Sequence, residues 1–283
     1  MTTTDIVIDT NQIAQYERDG VTCFRNLLST TWVERLRAAV DRALKTPSPY
    51  YVGKDDPVNG LFMTDYSMWR TDPDFRDFVF NSPLGRIAAE FMRSKHAYLL
   101  VDLMLVKGPH SAYPTPWHTD KFYGWYEGEQ LCSFWVGLDE TTKESGAVEF
   151  IKGSHHTKED YMPVNFMKGS GKFDEALDKS GIPESALIGL LPVPDIEADR
   201  SKYDIVHYHT MPGDVVMNSL RVLHASSGNA TDRWRRAIAF RFAGDDITYQ
   251  PKSFSATPPG DPGLKPGDPI GCDLFPQVWP PRA

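Results

Sequence analysis

His118 and Asp120 stand two residues apart in the stretch Thr115-Pro116-Trp117-His118-Thr119-Asp120. One imidazole and one carboxylate at that spacing can face the same metal ion. If a second histidine joins them, two nitrogens and one oxygen occupy one face of the ion and leave three positions open. That arrangement is diagnostic of non-haem Fe(II) oxygenases. The candidate third ligand is His224, far along the chain, at the end of an apolar run that opens with the turn Pro212-Gly213-Asp214. Arg235 follows eleven residues later. A buried guanidinium needs an anion, and its planar fork suits a carboxylate.

Elements must bring these residues together. Residues 1–95 read as a helical part. Thr31 and Glu34 have capping-box spacing, and Val33, Leu36, Val40 and Leu44 repeat at helical intervals. Pro83 precedes a second stripe of Leu84, Ile87, Ala88 and Phe91. Both stripes read as core packing, not chemistry. From about 97 the texture changes to short apolar runs at 98–106, 131–138, 215–223 and 235–243, each bounded by Gly, Pro, Asp or Asn. Such runs predict strands, and strands without regular intervening helices predict a sandwich or barrel.

Alternation within two runs is informative, because side chains in a strand point to opposite faces with period two. Ser133, Trp135 and Gly137 share one face against Cys132, Phe134, Val136 and Leu138; Arg235, Ala237 and Ala239 share one against Ile238, Phe240 and Phe242. The bulky faces are expected on a core, the small or polar faces on a cavity. The polar segment 157–205 reads as a lid-like insertion. Residues 251–283, with nine of the 22 prolines, read as an extended tail over the surface. The whole chain reads as a single domain of 1–283, with 96–250 as the β core.

The ordered set of His118-Thr119-Asp120, Trp135, Glu144-Ser145-Gly146-Ala147-Val148, Lys152-Gly153-Ser154-His155, Pro212-Gly213-Asp214, His224-x-Ser226-x-x-Asn229, Arg235-Arg236-Ala237 and Asp273-Leu274-Phe275-Pro276 resembles the phytanoyl-CoA dioxygenase family of Fe(II)/2-oxoglutarate oxygenases. The likeness runs from about Gln15 to Trp279 and thins between 157 and 205. It implies a mainly β fold with flanking helices, a double-stranded β-helix (jelly roll, cupin-like). It implies Fe(II) on His118, Asp120 and His224, with 2-oxoglutarate as cosubstrate and O2 as oxidant. Arg235 would pair with the distal carboxylate of 2-oxoglutarate, with Ser226 and Trp135 helping to hold it. Related halogenases carry a small residue at the position of Asp120, so its presence implies hydroxylation or another oxidation in place of halide transfer.

Three further residues are candidates for touching a small-molecule substrate. Lys107 ends an apolar strand and would meet an anion at the cavity mouth, or else be a solvated strand end. Tyr123 and Trp125 follow the His-x-Asp motif closely and would line the pocket, or else pack at its rim. His155, His156, His207 and His209 read as strand-end and turn residues. Two rival functions use the same residues: a zinc-dependent hydrolase, since two histidines and a carboxylate also serve zinc, and a non-catalytic jelly-roll binding module. The dicarboxylate clamp expected of Arg235 has no place in a hydrolase.

Composition narrows the partners. The formal charge of −8, without a basic block, excludes nucleic-acid binding as the default. No run reaches the roughly 18 apolar residues of a membrane span, and the N-terminus lacks the pattern of a signal peptide. Cys23, Cys132 and Cys272 are odd in number and widely spaced, so neither a disulfide framework nor a cysteine metal site is expected. A reducing, cytoplasmic setting is the expectation; oligomeric state is not readable.

Overall fold

The computed structural model describes residues 8–157, 159–164, 188–252 and 258–281. Four α-helices lie in the first third: α1 (Thr10–Asp19), α2 (Thr30–Lys45), α3 (Pro73–Asn81) and α4 (Leu84–Phe91). The described strands are β1 (Val21–Phe24), β2 (Val52–Asp56), β3 (Gly60–Tyr66), β4 (Ala97–Lys107), β5 (Thr115–His118), β6 (Tyr126–Glu127), β7 (Leu131–Gly137), β8 (Val148–Ile151), β9 (Ile205–His207), β10 (Val215–Ser219), β11 (His224–Ser226), β12 (Arg235–Ala243), β13 (Thr248–Tyr249) and β14 (Gln277–Trp279).

They form a large antiparallel sheet in the order β1-β10-β7-β12-β4-β3-β2, with β14 also pairing β4, and a smaller sheet in the order β5-β11-β8-β9. The chain has the jelly-roll fold expected of it. The helices cover the outer face of the large sheet. There Val33 and Leu36 of α2, Phe75 and Phe78 of α3, and Ile87 and Phe91 of α4 share a buried cluster with Phe134, Val136, Met217, Ile238 and Phe240. The Phe78 and Phe240 rings lie 4.9 Å apart. The inner face of the same sheet is left to face the smaller sheet, and the cavity lies between them.

Several sequence expectations change. The first 95 residues are not wholly helical: β1, β2 and β3 add to the large sheet. In β3 the period is two, with Met63 buried against the helical layer and Phe62, Thr64 and Tyr66 facing the cavity. The start of α2 is capped by Ser29, whose Oγ accepts from Trp32 N at 3.3 Å, two residues before the expected Thr31. The run at 215–223 is not one strand. β10 ends at Ser219, the chain crosses to the smaller sheet, and His224 opens β11. The tail is more than surface coil, for β14 pairs with β4 and Phe275 is fully buried. Of the 157–205 segment, residues 158 and 165–187 lie outside the described residues; the described remainder packs behind the smaller sheet, where Glu197 accepts from the Trp117 indole at 2.8 Å.

Among the described residues no helix is long and apolar enough to cross a membrane. The three cysteines are unbridged.

Candidate metal and cosubstrate site

β5 and β11 pair antiparallel with His118 directly opposite His224. Cross-strand neighbours on one face touch, and the two imidazole centroids lie 4.1 Å apart. Asp120 comes two residues after His118, where β5 has ended and a short 3-10 turn, Lys121–Tyr123, begins. The backbone N–H groups of Asp120 and Lys121 both donate to Leu220 O at 2.9 Å. That pair of bonds ties the Asp120 turn to the crossover that delivers His224.

The result is a compact triad. His118 Nε2 is 3.4 Å from Asp120 Oδ1, and His224 Nε2 is 3.8 Å from Asp120 Oδ2. One ligand atom from each residue falls within 4.8 Å of the others, close enough to share one ion. Each imidazole is oriented from behind. His118 Nδ1 lies 2.8 Å from Pro116 O, and His224 Nδ1 lies 3.0 Å from Val222 O. A carbonyl can only accept, so Nδ1 carries the proton in both rings and the Nε2 lone pairs point to the shared centre.

Electrostatics favour the ligand forms. Burial pushes the His224 pKa down to about 4, and the neighbouring His118 adds to the effect. Burial also works against the charge of Asp120. Arg241 and the two imidazoles outweigh it and hold that carboxyl well below the usual range. The Arg241 Nη2 donates to Asp120 Oδ1 at 2.7 Å.

The triad opens on a cavity of about 360 Å³. Across it lies Arg235, 2% exposed. Its Nη1 makes a 3.3 Å bond to Leu105 O, its Nε has no partner, and no described carboxylate forms an ion pair with it. Burial depresses its pKa to about 10. Arg236 points the other way, to Asp139 and Asp41 at 2.8 Å each. Trp135 is buried beside Arg235, with the guanidinium carbon 5.9 Å from its ring centroid, and its indole N–H is also unpartnered. Buried donors are nearly always satisfied. Two unsatisfied ones lining the same cavity fit an oxyanion acceptor.

Ser226 lines this end as well, and its Oγ donates to Gly146 O at 2.8 Å. Gly146 sits at φ +85°, and a Cβ there would stand 2.9 Å from the carbonyl oxygens of Ser227 and Gly228. That close approach requires glycine. Asn229 braces the turn into β12 by donating to Gly108 O at 2.9 Å and Arg233 O at 2.6 Å.

The substrate candidates divide. Tyr123 lines the cavity. Trp125 does not: it stacks on Phe275, 5.8 Å away, in a separate core cluster. Lys107 is neither at the mouth nor solvated. It is fully buried opposite Arg235, and its Nζ donates to Ser226 Oγ at 3.1 Å and to Ser227 O. Burial and the adjacent guanidinium push its pKa well below the ordinary lysine value. It therefore belongs to the Arg235 end. His155, His156, His207 and His209 do not line the cavity. Ser133 lines the cavity beside Trp135, as its alternation requires, while Arg241 and Asn218 on the same sheet and the wall of Tyr50, Val52, Phe62 and Tyr66 were not among the expected site residues.

Comparison with known proteins gives the family and the fold. Residues 16–237 match the family described as phytanoyl-CoA dioxygenase (PhyH). Similar curated proteins include a probable phytanoyl-CoA dioxygenase of Caenorhabditis elegans, 19% identical over 85% of this chain and 77% of that protein. An ectoine dioxygenase of Sphingopyxis alaskensis is 23% identical over 84% of this chain and 76% of its own. Among solved structures, the α-ketoglutarate-dependent carbocyclase SnoK from nogalamycin biosynthesis shares the fold with a TM-score of 0.75 at 20% identity, covering 98% of both chains. The epimerase SnoN, in complex with Fe3+, α-ketoglutarate and nogalamycin RO, shares it with a TM-score of 0.74 at 18% identity over 95% of this chain and 98% of its own.

Proposed function

The chain belongs to the phytanoyl-CoA dioxygenase family and is a 2-oxoglutarate-dependent dioxygenase, and from that premise we propose that it oxidises a C–H bond of a small molecule. His118, Asp120 and His224 hold Fe(II), and Arg235 holds 2-oxoglutarate by its distal carboxylate. The iron and cosubstrate together supply the oxidising chemistry, in which O2 is consumed and succinate and CO2 are the coproducts.

The single observation that carries this reading is the pair of unpartnered buried donors in the cavity that the triad lines. A hydrolytic metal centre has no use for a buried guanidinium without a counter-ion, yet Arg235 Nε and Trp135 Nε1 are both buried donors without partners. A carboxylate oxygen is the kind of acceptor that either donor lacks. The guanidinium presents two N–H groups in a fork, which fixes orientation as well as affinity. Ser226 and the buried Lys107 Nζ stand at the same end. A dicarboxylate held by Arg235 would share one cavity with the triad.

The protein's remaining task is exclusion. Leu103, Leu105, Val148, Phe150 and Ala239 give the cavity largely apolar walls, which keep water from the reacting centre and strengthen electrostatic contacts inside it. Asp120 fills the position that a halide would need, so oxidation without halide transfer is the expected outcome.

The purified protein, given Fe(II) and 2-oxoglutarate but no second substrate, is expected to form succinate slowly and only when O2 is present. Turnover of a hydrolysable ester that persists without O2, with no succinate formed, would instead support a zinc hydrolase.

A further inference from the structure

We propose that the primary substrate is a small organic anion with an apolar, ring-sized body, and that Arg241 is the residue that selects its charge. This rests on the reading of the site given above and names the class of molecule it accepts.

Three observations carry it. The first is position. Arg241 follows Arg235 on the same face of β12, six residues on, which is roughly 20 Å of strand rise. Arg235 marks the cosubstrate end, while Arg241 lies beside Asp120 and so faces what approaches the metal from the other side. Directly across from it on β7 is Ser133, and across from Ser133 on β10 is Asn218. Both are buried and both line the cavity. Cross-strand neighbours lie about 5 Å apart, so these three side chains make one polar row in an otherwise apolar chamber.

The second is unused donor capacity. A guanidinium offers five N–H donors. Among the described residues Arg241 spends its Nη2 on Asp120, and its Nε is buried without a partner. A role confined to holding Asp120 leaves most of that donor set idle.

The third is charge. Asp120 is the one carboxylate among the described lining residues, against two guanidiniums. A divalent ion and a doubly charged cosubstrate cancel, and Asp120 cancels one guanidinium. Burial and the adjacent Arg235 favour the neutral form of Lys107, so one positive charge is left over in a chamber of low polarity, where an unpaired charge is costly. A monoanionic substrate removes that cost and a neutral one does not.

The apolar body has its own wall. Tyr50 and Tyr66 are stacked with centroids 4.9 Å apart, and Phe62 and Val52 continue the surface along the β2–β3 hairpin. Flat aromatic faces favour ring-sized apolar groups.

The test uses the full-length protein with Fe(II) and saturating 2-oxoglutarate, without oxygen. 3-Phenylpropanoate and 3-phenylpropanamide, matched in shape but not in charge, are titrated while the visible charge-transfer band is followed. The acid is expected to shift the band with at least a tenfold lower Kd than the amide. Arg241→Gln should erase that preference and Arg241→Lys should restore part of it, whereas a merely structural role would lower both affinities together. Equal binding of acid and amide, an unchanged preference in Arg241→Gln, or no binding of the acid overturns the proposal. If the band does not form before any probe is added, the reading of the metal site fails first, and the proposal with it.

Discussion

Arg235→Leu is expected to raise the concentration of 2-oxoglutarate needed for half-maximal turnover by about 30-fold to several thousand-fold, and at the same time to stabilise the protein in the absence of ligands. Losing one partner of a buried, hydrogen-bonded charge pair costs about 2–5 kcal/mol, and each 1.4 kcal/mol is about tenfold in affinity. The opposite effect on stability has the same origin. Before the cosubstrate binds, Arg235 is a 2% exposed charge with one backbone bond and an unsatisfied Nε. An unsatisfied buried donor costs about 1–3 kcal/mol, and leucine removes it. Chemical denaturation without ligands and steady-state kinetics with varied 2-oxoglutarate measure the two halves. Arg235→Lys keeps the charge but loses the fork, so its affinity should fall between wild type and leucine. Loss of stability together with unchanged cosubstrate affinity would show that Arg235 is a structural residue.

His224→Ala has the largest expected effect on metal binding. Loss of a residue that merely orients a metal ligand costs about 10–100-fold in affinity or activity. Removal of a ligand itself should exceed the upper end of that range, leaving the protein without bound iron after dialysis and without detectable succinate formation. The fold should survive. His224 packs on Phe150 with centroids 5.9 Å apart and pairs with His118 across β11 and β5, but the helix-backed core on the far side of the large sheet does not include it. Metal content after dialysis and the far-ultraviolet circular dichroism spectrum check both halves. Full iron occupancy in the variant would remove His224 from the ligand set.

The triad of His118, Asp120 and His224 is legible in the sequence because its signal is local at one end and patterned at the other. His118 and Asp120 announce themselves by spacing, while His224 and Arg235 sit in an ordered series of turns and strands. Arg235 lines the cavity and Arg236 points to Asp139 on the opposite side, as alternation requires, and the family resemblance chose Arg235 between the two. The same parity runs on through Ala237 and Ala239 to Arg241, so Arg241 was legible and was passed over. Lys107 shows where a single strand stops being informative. Its inward direction matches Leu103 and Leu105, but its partner is set by the register that places it opposite Arg235, and register is a property of two strands. Trp125 was misplaced because nearness in sequence to Asp120 says nothing of direction once a 3-10 turn intervenes. The aromatic wall was hidden for a different reason. Tyr50, Phe62 and Tyr66 lie more than fifty residues before the motif, in a stretch of Gly, Asp and Asn whose strand period is short and easily lost beside strong helical stripes.

Anaerobic titration of the metal-free protein with Fe(II) and then 2-oxoglutarate, followed in the visible spectrum, tests the metal and cosubstrate site most directly. A metal-to-ligand charge-transfer band is expected that needs both additions, saturates at one iron per chain, and is absent in His118→Ala. A spectrum that stays featureless in the wild-type protein with iron shown to be bound, or a band that persists in His118→Ala, would contradict this reading of the site.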